Sequence, residues 1–315
     1  MDEKPPDFRQ SLPVNQPKGK KESRRRWLKA VLGLGIAGGV AAGYSRFWES
    51  SWLRTSSHLL PHDKFKTGKK LRLLHLSDFH LSSVVPFELI EKSIEMGLEQ
   101  KPDATFITGD FITSKASDQE FDRYVEVLRA LSEKAPTFAC LGNHDGGKWS
   151  ASTYGYKNSD KVETTLSKAG VYLLRNQSEN IFIKGEKIVV VGLDDLWSGT
   201  MKPSQALRPQ NPDGKATNRP PVLVMCHNPD SKDELASYDW DLMLCGHTHG
   251  GQCILPLLGT PFAPVEDHRF VEGLHEWKGR LIHITRGVGN LHGVRFNCRP
   301  EISLLETASP TSAEE

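Results

Sequence analysis

Five short apolar segments of this chain each end abruptly in a cluster of polar residues. The segments cover residues 71–76, 104–108, 137–141, 221–226 and 241–245. Short apolar runs without polar alternation are typical of strands that are covered on both faces. The pattern therefore predicts buried strands inside a layered α/β fold.

Helical patterns lie between the first three predicted strands and after the third. Residues 87–100 follow Pro86, which suits the first turn of a helix, and residues 121–131 and 162–169 have apolar residues at helical spacing. Further strands are predicted at 187–191, 281–285 and 301–305. Strand–helix–strand units form right-handed crossovers, which favours a layered α/β fold. Because strands dominate after residue 170, we predict a four-layer α/β/β/α sandwich of two packed mixed sheets.

The polar clusters lie at the predicted carboxyl ends of the strands, where such folds bind ligands. The residues concerned are Asp78, His80, Asp110, Asn143, His144, His227, His247 and His249. Any one of these histidines alone fits a surface position, and Gly-Asn-His-Asp alone fits a turn. Five clusters at the same predicted end indicate one site.

The residue types at these strand ends indicate a metal site. Carboxylate, imidazole and amide oxygen suit Mn, Fe or Zn better than a thiophilic ion. The potential ligands are too many for one closed tetrahedral site, and they suit two ions roughly 3.5–4 Å apart that share a carboxylate.

The order of the clusters resembles that of the calcineurin-like metallophosphoesterase family, over roughly residues 71–306. The matching motifs are Asp78-x-His80, Gly109-Asp110, Gly142-Asn143-His144-Asp145, His227 and Gly246-His247-Thr248-His249. The resemblance implies that Asp78, His80 and His249 hold one divalent ion, that Asn143, His227 and His247 hold the other, and that Asp110 bridges them. It also implies that His144 is not a ligand but stabilises charge on the ester or protonates the leaving oxygen. Asp145 is then a candidate to orient His144.

The same resemblance implies a metal-dependent phosphodiesterase, in which a metal-bridging hydroxide attacks a phosphodiester or a lipid-linked phosphate. Mn is the expected metal, with Fe or Zn as alternatives. Two other functions stay open: a UDP-2,3-diacylglucosamine pyrophosphatase of lipid A biosynthesis, which is the role of related family members, and a metal-free binding scaffold. The formal net charge of +1 gives no general attraction to nucleic acid, so no nucleic-acid partner is expected, and we expect a monomer.

The amino-terminal region has a composition different from the rest. Residues 1–22 are polar and predicted to be disordered, and 23–46 resemble a twin-arginine export signal, with Arg24-Arg25-Arg26-Trp27-Leu28-Lys29 before an apolar stretch. The alternative is an uncleaved anchor. The first implies the periplasm or the inner membrane, and the second allows the cytoplasmic membrane face. Residues 47–70 are predicted to be a linker, 71–306 the catalytic domain and 307–315 a disordered tail.

Two further features bear on function. The five cysteines resemble no disulfide framework, so we expect free thiols, with Cys226–Cys245 as the pair left open. The apolar segment 254–262 follows the last predicted ligands, and it is either a lip for a lipid or membrane-bound substrate or a covered strand and turn. Arg286, Arg295 and Arg299 are candidates for phosphate contact, or else ordinary salt-bridge partners.

Overall fold

The computed structural model describes residues 19–114, 116–153, 155–209 and 219–308. The chain divides into an amino-terminal unit that ends at Tyr44 and a second unit that begins at Ser45. Helix α1 (Gly19–Phe47) begins inside the segment that we predicted to be disordered, so that prediction is wrong for residues 19–22. The rest of the segment, 1–18, lies outside the described residues. The segment Arg24–Ser51 is long and apolar enough to cross a membrane as a helix, a property that a signal sequence shares.

The strands form two six-stranded mixed sheets. In chain order they are β1 (Arg54–Leu60), β2 (Arg72–Leu76), β3 (Ala104–Thr108), β4 (Thr137–Cys140), β5 (Tyr172–Leu173), β6 (Gln177–Ile183), β7 (Glu186–Gly192), β8 (Val222–Met225), β9 (Leu242–Cys245), β10 (Gly273–Trp277), β11 (Arg280–Ile284) and β12 (Glu301–Thr307). The first sheet has the order β1-β12-β2-β3-β4-β5, and the second has the order β10-β11-β9-β8-β7-β6. Strands β2, β3 and β4 are parallel in one sheet, and β7, β8, β9 and β11 are parallel in the other.

Part of the segment 47–70, which we predicted to be a linker, forms strand β1. Residues 54–60 pair in parallel with β12, from Arg54 opposite Glu301 to Leu60 opposite Thr307. Most of β1 alternates between half-buried and exposed positions, as an edge strand with a solvated face does. Its polar sequence, Arg-Thr-Ser-Ser-His, therefore gives no apolar run by which a strand is recognised. Residues 309–315, most of the predicted tail, lie outside the described residues.

In the part of the second unit that the structure describes, three helices lie close to their predicted positions, and three short helices were not predicted. They are α2 (Phe87–Glu99), α3 (Asp118–Ser132), α4 (Lys148–Ser152), α5 (Asp160–Lys168), α6 (Pro203–Ala206) and α7 (Ser231–Glu234). Helix α3 begins with a capping box, in which Ser117 and Glu120 satisfy each other's backbone N–H groups. The buried side chains of α2 and α3, such as Ile90 and Leu128, are on the faces that the sequence predicted.

Three large clusters of buried apolar side chains form the core of the part that the structure describes. One cluster lies between the sheets, including Phe106 and Leu223, and another lies between the first sheet and helices α2, α3 and α5. A third covers the outer face of the second sheet, where Trp240 and Trp277 stack beside the short helix α7. The predicted α/β/β/α sandwich of two mixed sheets is confirmed.

All five cysteines are free, as predicted. Cys226 and Cys245 lie on neighbouring strand ends with their sulfurs 3.8 Å apart, which is a contact between thiols and not a bond.

Candidate metal centre

The site is built on loops that leave the carboxyl ends of the parallel strands. The backbone of five of the predicted site residues turns into the left-handed region directly after a strand or between site residues: Asp78, His80, Asp110, His247 and His249 have φ between 51° and 70°. Non-glycine residues rarely adopt this conformation, and such residues cluster at functional sites. Here the turn directs successive side chains towards one point.

Backbone hydrogen bonds hold these turns together. The N–H of Asp78 donates to the carbonyl of Gly109 at 3.0 Å, and the N–H of His80 donates to the carbonyl of Asp110 at 3.0 Å. Gly109 has φ of 83°, and a Cβ on it would lie 2.4 Å from the backbone nitrogen of Gly142. The loops after β3 and β4 are therefore packed backbone to backbone at Gly109, where a side chain would not fit.

A first group of donors consists of Asp78, His80 and His249. Nε2 of His80 lies 3.0 Å from Nε2 of His249, and these nitrogens lie 3.8 and 3.5 Å from Oδ1 of Asp78. All three side chains are buried. Nδ1 of His80 contacts the Thr113 hydroxyl at 2.7 Å, which fixes the orientation of the ring.

A second group lies on the other side of Asp110. Oδ2 of Asp110 is 3.1 Å from Nε2 of His227 and 3.4 Å from Nε2 of His80, so this carboxylate borders both groups. Nδ1 of His227 donates to the Thr108 carbonyl at 2.7 Å. Nδ1 of His247 lies 3.0 Å from Oδ1 of Asn143, and the His247 N–H donates to Asp78. The structure thus brings together all the side chains that the sequence pattern singled out.

The protonation of these side chains follows from burial. Burial lowers the pKa of His80 and His249 well below the ordinary value, and burial with the charge of His227 lowers that of His247 to about 3. Burial also opposes a charge on His227, but Asp110 outweighs it and holds the pKa of His227 well above its usual range. Burial raises the pKa of Asp78 to about 6. Most of the imidazoles are therefore neutral, which is the form that binds metal.

This donor set fits divalent cations. The neutral imidazoles of His80 and His249 direct their Nε2 atoms at each other beside the carboxylate of Asp78. In the part of the chain that the structure describes, Nε2 of His247 has no hydrogen-bond partner. Lone pairs that converge in a buried place are satisfied by a cation. Donor atoms within 4.8 Å of one another occur in the sets Asp78/His80/His249, His80/Asp110/His144 and Asp78/Asp110/His227.

His144 is near the donors but differs from them in its surroundings. Its ring packs edge-on against His80 and against Trp149, with centroids 5.0 and 4.5 Å apart. Among the described residues, its Nδ1 has no hydrogen-bond partner. Distance alone does not separate His144 from the ligands, and its role as a proton donor stays a prediction.

Asp145 does not orient His144, contrary to the sequence-based candidate role. Its carboxylate accepts hydrogen bonds from the backbone N–H groups of Asp110, Phe111 and Gly142, at 2.9, 2.7 and 2.8 Å. The reason is that the loop after β4 turns Asp145 back towards the loop after β3. Asp145 therefore fixes the backbone of Asp110.

Three residues near the donors were missed by the sequence reading. Asp195 follows β7, is buried, and has an Oδ1 without a hydrogen-bond partner among the described residues. Trp197 packs edge-on against His247 with ring centroids 4.3 Å apart, and Trp149 lies beside Trp197. Asp195 follows the same rule as the other clusters, since an apolar strand precedes it, whereas no local pattern indicates the tryptophans.

The three arginines proposed for phosphate contact are all engaged by protein groups. Arg295 is fully buried and donates to several backbone carbonyls, including that of His249. Arg286 pairs with Glu272 at 2.8 Å, and Arg299 donates to the carbonyls of Trp52 and Leu53. The salt bridge of Arg286 matches the alternative that we predicted, whereas Arg295 and Arg299 bind backbone carbonyls, which neither alternative anticipated.

Comparison with known proteins matches the chain to a family of known enzymes. The family model for calcineurin-like phosphoesterases matches residues 71–251. Phosphodiesterase YaeI of Escherichia coli (strain K12) is 43% identical over 284 residues, which cover 90% of this chain and 98% of that protein. The uncharacterized metallophosphoesterase YkuE of Bacillus subtilis (strain 168) is 30% identical over 92% of this chain and 99% of its own. UDP-2,3-diacylglucosamine pyrophosphatase LpxG of Chlamydia trachomatis is 26% identical, over 77% of this chain and 85% of that protein.

Proposed function

The chain belongs to the calcineurin-like phosphoesterase family and is a hydrolase of phosphoric esters, and from this premise we propose that it is a phosphodiesterase that uses two divalent metal ions. The observation that supports two ions is the position of Asp110. Its Oδ2 lies within 3.4 Å of imidazole nitrogens from both donor groups. A carboxylate shared between neighbouring ions is a usual feature of two-metal hydrolases.

We assign the donors to two ions on this basis. Asp78, His80 and His249 would hold one ion, Asn143, His227 and His247 the other, and Asp110 both. Divalent ions in such a site activate water and neutralise charge on the phosphoryl group. Mn is the ion we propose, because the oxygen and imidazole donors are hard to borderline ligands and no cysteine is among them.

His144 is proposed to act on the ester. Its ring is held between His80 and Trp149, and its Nδ1 faces no protein acceptor among the described residues, so a proton on it is free for the leaving oxygen. A positioned general acid contributes typically ~10²–10⁴-fold to the rate.

Metal analysis with a panel assay tests the phosphodiesterase proposal. Purified protein would be stripped with a chelator, reloaded with Mn, Fe or Zn, and assayed on bis-p-nitrophenyl phosphate, p-nitrophenyl phosphate and UDP-2,3-diacylglucosamine. We expect two metal equivalents, restored activity with Mn, and preference for the diester. Asp110→Asn should lose metal and activity together, whereas Asp118→Asn, an exposed carboxylate paired with Lys161, should lose neither. Full activity after chelation, or a preference for the monoester, would contradict the proposal.

A second candidate is hydrolysis of UDP-2,3-diacylglucosamine. The similarity to LpxG and the exposed Leu257, Leu258 and Phe262 beyond the metal centre favour a lipid-bearing substrate. In the panel, a rate on the nucleotide lipid far above that on the soluble diester would select this candidate.

For location, we propose export by a twin-arginine-like signal, with an uncleaved membrane anchor as the alternative. Residues Arg24–Ser51 fit either, and the arginines before Trp27 favour the signal. Amino-terminal sequencing of protein from periplasmic and membrane fractions decides between them. A mature start near residues 39–43 indicates a cleaved signal, whereas an intact terminus in the membrane fraction indicates an anchor.

A further inference from the structure

The segment 254–262 forms an apolar hairpin that projects from the protein. Leu255 and Gly259 exchange two backbone hydrogen bonds, of 2.8 and 2.9 Å, which close a tight turn. Leu257, at its tip, has φ of 68° and is fully exposed, while Leu258 and Phe262 are 72% and 69% exposed. The structure thus excludes the covered strand and turn that the sequence left open.

The hairpin is anchored on the segment 293–299. The N–H of Ile254 donates to the Phe296 carbonyl at 2.8 Å, and the Phe296 N–H donates to the Gln252 carbonyl at 3.0 Å. The side chain of Asn297 donates to the Ile254 carbonyl at 3.2 Å. The base of the hairpin is therefore held by regular hydrogen bonds, and its apolar tip is not held by the core.

The same segment also holds residues 45–53, which follow the apolar part of α1. The buried carboxylate of Glu49 accepts from the N–H of Asn297 at 3.0 Å and from that of Cys298. The N–H of Arg295 donates to the Ser45 carbonyl at 3.1 Å. Residues 45–53 and the apolar hairpin therefore share one support.

Residues 45–53 carry exposed aromatic side chains. Phe47, Trp48 and Trp52 are 79%, 64% and 47% exposed. Tryptophan is enriched at the level of lipid headgroups, where its ring has both apolar and polar contacts. If the preceding stretch lies in a bilayer, chain continuity alone places these residues at the bilayer surface.

The shared support lies next to the metal centre. The guanidinium of Arg295 and the thiol of Cys298 both donate to the carbonyl of His249, at 3.3 and 3.1 Å. Residues 45–53, the apolar hairpin and a predicted metal ligand are thus all hydrogen-bonded to the 293–299 segment.

From this arrangement we propose that the apolar hairpin inserts into the surface of a lipid bilayer and brings the metal centre to phosphoesters at headgroup depth. The occupant is the membrane itself, because the exposed side chains are aliphatic and aromatic and adjoin a segment that chain continuity links to a candidate membrane helix. The substrate class that follows, a phosphodiester carried by a lipid, rests on the proposed function.

Insertion is tested with a fluorescent label on the full chain in vesicles of phosphatidylethanolamine and phosphatidylglycerol. Cys253→Ser removes the half-exposed thiol, and the other native cysteines are buried. An environment-sensitive dye is then attached through Leu257→Cys or, as a matched control, through Phe182→Cys, which replaces an exposed residue of strand β6. We expect lipids with brominated acyl chains to quench the dye at position 257 and not at position 182. Equal, weak quenching at both positions would overturn the proposal.

A second copy of the chain is the competing occupant. Light scattering of the protein in detergent tests this possibility. A doubled mass that Leu257→Asp with Leu258→Asp reduces to that of one chain would assign the hairpin to a dimer interface and overturn membrane insertion.

The consequence for substrate is tested by comparing two p-nitrophenyl esters. Bis-p-nitrophenyl phosphate is soluble, and a phosphatidyl p-nitrophenyl ester is embedded in the same vesicles. Leu257→Asp with Leu258→Asp should lower the rate on the lipid ester by roughly tenfold or more, because a carboxylate disfavours insertion, and should change the soluble rate by less than about twofold. Phe182→Asp should change neither. Equal loss on both esters would overturn the link between the hairpin and lipid substrates.

The two proposals fail in different ways. If the dye at position 257 is in the bilayer but wild-type protein hydrolyses neither ester, the proposed function is wrong and the docking surface stands. If the soluble ester is hydrolysed but the dye stays in water, the docking surface is wrong and the proposed function stands.

Discussion

Gly287→Ala should weaken metal binding although Gly287 is not itself a predicted ligand. Gly287 lies after strand β11 with φ of 68°, and a Cβ on it would lie 2.6 Å from Cβ of Asp78 and 3.0 Å from its Oδ2. Ordinary contacts begin near 3.4 Å, so Asp78 or its loop must move by about 0.8 Å. The left-handed conformation adds about 1 kcal/mol of strain for alanine.

The expected magnitude follows from the tolerance of metal sites. Ligand distances are held to within about 0.2 Å, so a displacement of Asp78 several times larger should lower metal affinity roughly 10–100-fold. The overpacked contact itself should lower the free energy of unfolding by about 1–3 kcal/mol. Competition with a chelating dye measures the affinity, and urea unfolding of metal-free protein measures the stability.

Gly279→Ala is the matched control for this experiment. Gly279, in the turn between β10 and β11, has φ of 79°, and a Cβ on it would meet nothing within 4 Å. It should therefore show the backbone strain without any loss of metal affinity. Equal metal affinity in the two variants would refute the argument that Gly287 positions Asp78.

Three other predictions concern single side chains. His144→Ala should lower turnover by roughly 10²–10⁴-fold while metal content stays near wild type. The loss should be smaller on p-nitrophenyl esters than on alkyl esters. Parallel loss of metal, measured by elemental analysis, would contradict the role of His144 as acid. Asp145→Asn should lower the free energy of unfolding by about 1–3 kcal/mol, because one backbone N–H loses its acceptor, and unchanged stability in urea would contradict this. Burial and the neighbouring His58 lower the pKa of His75 to about 3, so the unfolded chain binds more protons between pH 6.5 and pH 3, and stability falls as pH drops through that window. His75→Gln should make that fall shallower by up to about 1.4 kcal/mol per pH unit in urea titrations, and an unchanged slope would refute it.

The part of the site that the sequence predicts is the part that lies at the ends of buried strands. An apolar run reports a strand covered on both faces, and the next polar residues must then leave at its carboxyl end. This reasoning applies to Asp78, Asp110, Asn143, His227 and His247, because each follows its strand within a few residues. It applies equally to Asp195, which follows the apolar strand β7.

The contacts that the sequence does not predict are those between distant loops. Asp145 is next to His144 in the chain, which suggested a pair, but its acceptors face backbone N–H groups of a loop more than 30 residues earlier. The sequence makes Arg295 a candidate for phosphate contact or a salt bridge, whereas the carbonyls of several turns surround and satisfy its guanidinium in the core. Such contacts depend on how the loops turn, and no local residue pattern encodes that.

The carboxyl-terminal part of the chain is needed to complete the metal centre, although the family match ends at residue 251. The N–H of Gly289 donates to the carbonyl of Asp78 at 2.6 Å, and the N–H of Val288 donates to that of Ser77 at 3.0 Å. Arg295 donates to the carbonyl of His249, and strand β12 separates β1 from β2 in the first sheet. Residues after 251 therefore hold the backbone of two predicted ligands. A chain that ended at residue 251 would contain every predicted ligand and still lack the contacts that fix Asp78 and His249.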